Sequence, residues 1–369
     1  LNLNKEHRKR VVAWRYLPLV MFGLLGTGTN LMAQDIKNIQ TPDTPLTLQS
    51  RGSFFIGGET VEQSYVELGS RRPADRVTIN QMFVEFMSPS GQRKTPVIMI
   101  HGAGLSGASF DTTPDGRMGW YEYFVRNAHP AYVIDQVGRA RSGFNQAVFN
   151  NVSAGLESPE KQPPMIRMGD RFAAWANFRI GSADGVPFPD SQYPVQAASE
   201  LSRQGIPDLG AALPIPNPNY QALSSLARQV DGAVLISHSQ SGTYPIETAL
   251  LNPSAVKAMV LVEPGSCAAD SWTQEQIKTL AKVPLLIVYG DHLEAPTYLP
   301  GPGWQDRFDE CERLIGRILH AHGQAEMLHP PKLGIRGNSH MIMQDKNNLQ
   351  IADLILAWID RSLQLSRAE

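Results

Sequence analysis

The stretch Ala233-Val-Leu-Ile-Ser-His-Ser-Gln-Ser-Gly242 decides the fold. It begins with a continuous apolar run, as expected of a strand buried on both faces. Ser237-His-Ser-Gln-Ser241 then turns into a segment of helical pattern. This is the strand–turn–helix layout of a nucleophile elbow, with serines where two glycines usually stand. So tight a turn demands small residues two before and two after its apex, and Ser237 and Ser241 meet that limit. Ser239, at the apex, would stand exposed above the sheet. The N-terminus of the following helix, with its partial positive charge, would point at it.

Outward from the elbow the same rhythm repeats. Pro96-Val-Ile-Met-Ile100, Ala131-Tyr-Val-Ile134, Ala258-Met-Val-Leu-Val262 and Pro284-Leu-Leu-Ile-Val-Tyr289 are four more short apolar runs. Helical segments are expected at 120–127, 221–229, 241–251 and 273–281, with a last amphipathic helix at about 349–363. The alternation predicts an α/β fold, a mainly parallel central sheet with helices on both faces. Upstream, the pattern turns β-like from Gly52, and residues 76–87 read as a strand ending in the turn Ser88-Pro-Ser-Gly91. Residues 144–218 break the rhythm. They hold Pro163, Pro164, Pro187, Pro189, Pro214, Pro216 and Pro218 and no strand-like run, with helices expected at 171–178 and 196–204. An insertion of this length between two strands of one sheet reads as a cap, at about 144–220, on a single domain of about 51–365.

Two further segments complete a candidate site. His101-Gly-Ala-Gly104 directly follows the 96–100 strand. Its Ala103 N–H, with that of Gln240, would form a two-donor hole for a developing oxyanion. His101 itself reads as a brace of this loop rather than a base. The base is expected on a loop beyond the last strand, and Gly337-Asn-Ser-His340 supplies it. A serine hydroxyl is a poor nucleophile until an adjacent imidazole takes its proton. At the usual histidine value of about 6.5, activity would fall as His340 protonates in acid. His320, His322 and His329 fit the role less well, and His320-Ala-His322 suggests no metal site. The acid that orients His340 stays open by position alone: Glu263 follows one strand, Asp291 and Glu294 the next.

Composition sets the bounds. The chain has 369 residues, 42% hydrophobic and 18% charged, enough to bury a large core, and two cysteines, too few for a disulfide-dense scaffold. Its net charge of −2 offers no basic excess for a nucleic-acid backbone. Lys5, Arg8, Lys9, Arg10 and Arg15 precede an apolar run, 17–26, too short to span a bilayer comfortably; residues 1–33 read as a cleaved export signal. No stable membrane insertion is expected after its removal. Cleavage takes five basic residues and one acid, leaving 28 against 34 and a net charge of −6. Residues 34–50 read as a polar, mobile lead-in. In an oxidising compartment Cys267 and Cys311 are expected to pair.

Ser239, His340, the His101-Gly loop and Asp135-Gln-Val-Gly-Arg-Ala-Arg-Ser-Gly143 together resemble the α/β-hydrolase superfamily. Thr112-Thr-Pro-Asp-Gly-Arg-Met-Gly-Trp120, Ser237-His-Ser-Gln-Ser-Gly242, Val262-Glu-Pro-Gly265 and Gly337-Asn-Ser-His-Met-Ile-Met-Gln-Asp345 resemble more closely the esterase 713 family of exported bacterial carboxylesterases. The similarity runs from about residue 51 to 361. It implies a Ser239–His340–Glu263 triad, with the acid after the strand that follows the nucleophile. It also implies a Cys267–Cys311 disulfide and a periplasmic or secreted bacterial enzyme. One departure stands out: the family has adjacent cysteines in the oxyanion loop where this chain has Ala103-Gly104, which puts the loop's rigidity in question.

The expected activity is hydrolysis of a small carboxylic ester through an acyl-enzyme, with no metal or organic cofactor. A lactonase, amidase or thioesterase with the same triad is the alternative, and a non-catalytic hydrolase-like binding protein a more distant one. Trp120, Phe144, Phe149, Trp175, Phe178, Phe188, Tyr193 and Tyr244 are candidates for an apolar substrate wall, or for ordinary core.

Overall fold

A computed structural model describes residues 35–69, 73–169, 175–209, 213–297 and 301–368. The expected export signal at 1–33 lies outside them, as do residues 171–174 of the helix expected at 171–178. Strands β1 (Leu48–Gln63) and β2 (Asp75–Pro89) open the fold as a long antiparallel hairpin. Next come β3 (Val97–Ile100), α1 (Trp120–Arg126) and β4 (Ala131–Asp135). The insertion carries α2 (Ala147–Ser153), a small hairpin of β5 (Gly181–Ala183) and β6 (Val186–Pro187), and α3 (Ala198–Gln204). The chain continues through α4 (Pro218–Gln229), β7 (Ala233–His238), α5 (Tyr244–Leu251), β8 (Val256–Val262) and α6 (Gln274–Leu280). It ends with β9 (Leu285–Val288), α7 (Trp304–His320), β10 (Ala325–Leu328) and α8 (Asn348–Ala368).

The main sheet has eight strands in the order β1-β2-β4-β3-β7-β8-β9-β10. From β4 to β10 all neighbours are parallel; β1 and β2 are antiparallel. The period-two alternation of a strand splits its side chains between two cores. Ile98, Leu235, Met259, Leu261 and Ile287 enter one, with α4 to α7. Val97, Met99, Val234, Ile236, Val260 and Val288 enter the other, with α1 and α8. This double burial is why these strands read as unbroken apolar runs. β4 and β7 both pair with β3, so the insertion leaves and re-enters the same sheet.

Three sequence expectations shift. β1 begins at Leu48, inside the expected lead-in, and that lead-in is held: Gln40 N–H donates to Gly116 O at 2.8 Å and Arg126 donates to Thr44 O at 2.9 Å. The β-like pattern is readable only from Gly52, because residues 48–51 at the start of β1 are largely exposed and carry no apolar period. The insertion does contain strand: β5 and β6 are joined by Asp184-Gly185, a strong hairpin turn, with Gly185 at φ +71°. The helix expected at 241–251 begins as a 3₁₀ turn, Ser239–Thr243, before α5.

Candidate active site

Ser239 and Glu263 end neighbouring strands. The last register pair of β7 and β8 is His238 with Val262, and each strand then turns through a left-handed residue, Ser239 at φ 57° and Glu263 at φ 52°. Non-glycine residues adopt this conformation at a cost and persist there when the surroundings hold them. Here Gly265 N–H donates to Ser239 O at 2.7 Å, tying the two turns together. A Cβ on Gly102 would lie 2.8 Å from Ser239 Cβ, and one on Gly242 2.6 Å from Pro264 Cβ, so both positions need glycine. Ser241 Oγ donates to the carbonyls of Ile100 and His238, the packing its small size permits.

His340 lies on the loop between β10 and α8, its backbone N–H donating to Phe178 O at 2.8 Å. Its Nε2 is 2.9 Å from Ser239 Oγ and its Nδ1 is 3.0 Å from Glu263 Oε2. The ring is wholly buried between Phe178, His238 and Trp304, at centroid distances of 4.8, 4.7 and 4.2 Å. His238 completes the holder, its Nε2–H donating to His340 O at 2.9 Å. Behind it, Asp345 accepts from Ser339 N–H, Ser339 Oγ and Asn338 Nδ2, fixing the loop; burial pushes this carboxyl up to about 6 despite those bonds.

Of the three carboxylates left open by position alone, the one in contact with His340 is Glu263. Asp291 instead accepts from the backbone N–H groups of His292 and Gly337, and neither Asp291 nor Glu294 bonds His340. The reason lies in Gly290, whose N–H donates to Glu263 Oε1 at 2.5 Å. A Cβ there would strike Asn338 O at 2.5 Å, so the end of β9 supplies a backbone donor to Glu263.

Sequence reasoning missed Arg179. This arginine comes from the insertion, is fully buried, and donates from Nη2 to both Glu263 oxygens at 2.7 Å and from Nε to Asp291 O at 2.7 Å. Burial alone would raise Glu263, but Arg179 and His340 outweigh it and hold the carboxyl at about 2. Burial lowers His340, with Arg179 and Arg307 adding to the effect and Glu263 opposing it. His340 therefore titrates below the ordinary histidine value expected from sequence, and the neutral imidazole persists further into acid. Trp304 was also missed, since its Gly-Pro-Gly-Trp context carries no chemical signal.

Ala103 and Gln240 line, with Ser239, a cleft of about 660 Å³. The loop in question without its cysteines is braced from the insertion. Gly104 N–H donates to Asp208 Oδ2 at 2.8 Å, and Arg139 pairs with Asp208 while reaching Gln240 Oε1 at 3.1 Å. His101 is buried beneath, accepting from Gln136 N–H on Nε2 at 3.0 Å and donating from Nδ1 to Gly102 O at 2.8 Å. Of the candidate wall aromatics, Phe178 lines the cleft; Trp120 and Tyr193 are core, Phe144 is half exposed, and Phe188 stacks on His292 away from Ser239. Cys267 and Cys311 form a disulfide, S–S 2.03 Å, between the loop after β8 and α7.

No protein-family model matches the chain. Among solved structures, a novel bacterial esterase is 44% identical, with 88% of this chain and 99% of that one aligned and a TM-score of 0.81. The chain belongs to the α/β-hydrolase superfamily, in the family of that esterase. A curated relative, a probable secreted lipase from a fungus, is 23% identical over 333 residues, 75% of this chain and 85% of the relative. The eight-stranded, mainly parallel sheet is the frame of this superfamily.

Proposed function

We propose that the protein is a serine carboxylesterase. The observation that carries this is the unbroken chain Ser239 Oγ–His340 Nε2, His340 Nδ1–Glu263 Oε2, at 2.9 and 3.0 Å, opening on the cleft. Glu263 accepts a hydrogen bond from His340 Nδ1–H and so fixes the tautomer whose Nε2 is free to accept from Ser239. Ser239 attacks the ester carbonyl as His340 takes its proton. The N–H groups of Ala103 and Gln240 receive the oxyanion, an interaction typically worth about a hundredfold to a thousandfold in rate per donor. His340 then protonates the leaving alcohol, and a water deprotonated by the same ring releases the acid from Ser239. The chemistry is complete with protein groups. The substrate is a small-molecule ester, and the basic, apolar N-terminal segment together with the disulfide supports an exported enzyme.

The deciding experiment compares wild type with Ser239→Ala on esters and their matched amides and thioesters, alongside labelling by an organophosphate. Ester turnover and labelling should both vanish in the variant. Full residual turnover would overturn the mechanism; faster amide or thioester cleavage would move the assignment to those bonds. Ligand binding without turnover or labelling in wild type would leave a binding protein.

A further inference from the structure

The cleft beside Ser239 is unevenly charged. Among the described residues, the charged side chains that line it are Arg139, Arg167, Arg307 and Asp208. Arg139 and Asp208 offset each other in a buried pair at 2.6 Å. Arg307, in the first turns of α7, donates to the carbonyls of Gly265 and Pro302 and lies 5.3 Å from the Trp304 ring centroid. Arg167, on the insertion, donates to Ser202 O at 3.2 Å and is otherwise exposed. Among the described residues neither guanidinium meets a carboxylate, and each keeps further N–H donors. Arg307 is also close to the chemistry, since the Gly265 it bonds donates to Ser239 O. The remaining wall is largely apolar, with Leu105 and Phe178. The whole chain carries −2, so this positive field is no by-product of a basic protein.

We propose that Arg307 and Arg167 form an anion subsite, and that the ester cleaved carries a carboxylate of its own, as the half-ester of a dicarboxylic acid does. The inference rests on the esterase reading and sharpens its substrate class. A neutral ester leaves both guanidiniums to water. A carboxylate forms charge-assisted and, with arginine, forked hydrogen bonds to them. Ser239 Oγ still bonds to the acyl carbon as the acyl C–O bond to the leaving alcohol breaks; the free carboxylate anchors and does not react. Because Arg167 is exposed, part of the attraction is screened by salt.

The test compares p-nitrophenyl hydrogen glutarate with p-nitrophenyl valerate, which share acyl length and leaving group. In wild type kcat/KM should favour the half-ester by about tenfold or more, and that ratio should shrink as salt rises. Arg307→Met should cut the ratio about tenfold, and Arg167→Gln, at an exposed position that leaves folding intact, several-fold. A wild-type ratio at or below one, or a ratio unmoved by both substitutions, overturns the subsite. Calorimetric titration with glutarate alone reads the subsite without turnover: wild type should bind it and Arg307→Met about tenfold less tightly. Failure to cleave either ester overturns the esterase reading, whereas absent glutarate binding overturns the subsite itself.

Discussion

Arg179 carries a positive charge from the insertion to the back of Glu263, where neither side chain meets solvent. It does so at φ 55° and, among the described residues, with no partner for Nη1, two local costs that the surrounding contacts hold in place. Arg179→Met would leave a buried carboxylate without its counter-ion, a change that costs about 3–5 kcal/mol when such pairs are broken. It would also remove a charge that disfavours protonation of His340. The acid limb of kcat/KM should therefore move to higher pH in Arg179→Met, with Arg179→Lys intermediate; a limb that stays put removes Arg179 from control of the base. A second comparison bears on the acid. Glu263→Gln should lose on the order of 10³–10⁴ in kcat, and Asp291→Asn only a few-fold; the reverse order would reassign the role. Ser239 and His340 were legible because each sits in a short local pattern. Glu263 was legible only through the family resemblance, since by position three carboxylates follow two strands and contact with His340 separates them. Arg179 gave no sign at all: its partner is 84 residues away, and an arginine among prolines looks like any surface arginine.

At the level of elements, the turn from β7 into the helix works only because the loop after β3 packs on it without a side chain. In Gly102→Ala the added methyl meets Ser239 Cβ and His238 Nδ1 at 2.8 Å. Overpacking of this kind costs about 1–3 kcal/mol, and a displaced nucleophile can lose about a hundredfold in rate. Steady-state kinetics on a variant whose far-ultraviolet spectrum is unchanged would check this, and undiminished kcat would show that the turn can yield. The disulfide joins the segment carrying Glu263 and Gly265 to α7, which brings Trp304 onto His340. Closing a separation of 44 residues corresponds to about 4 kcal/mol of chain entropy. Replacing both cysteines by alanine should lower the urea-unfolding free energy by up to about that amount; no loss would mean that Glu310, which accepts from Ser266, Cys267 and Ala269, already fixes the loop. The parallel strands were legible because double burial makes them unbroken apolar runs. β1 was legible only from Gly52 and without a start, because a mostly exposed strand has no such constraint on its sequence.

Over the whole molecule, buried histidines set the response to acid. Burial holds His101 at about 4 and His238 at about 3, both below their unfolded value of 6.5. Below pH 6.5 the unfolded chain binds more protons than the folded one, so their stabilising contribution is complete above that pH and is lost as pH falls toward 4 and 3. Glu263, lowered from 4.5 to about 2, adds a further loss beginning near 4.5. Asp345 acts in the opposite sense. Raised from 3.8 to about 6, it weighs against the fold when ionised and is relieved as pH falls through 6. Urea midpoints should thus decline from pH 7 to 4, and more steeply in Asp345→Asn; an equal or shallower slope would reverse the sign assigned to that carboxyl. The insertion has one more consequence. Swapping residues 144–217 for the corresponding segment of another relative is an obvious way to trade one substrate preference for another. Such a chimaera would keep Ser239, His340 and Glu263 and lose Arg179 with the exchanged segment. The cleft wall and the charge behind Glu263 are therefore exchanged as one block, and recombination between relatives has to carry the counter-ion along with the insertion.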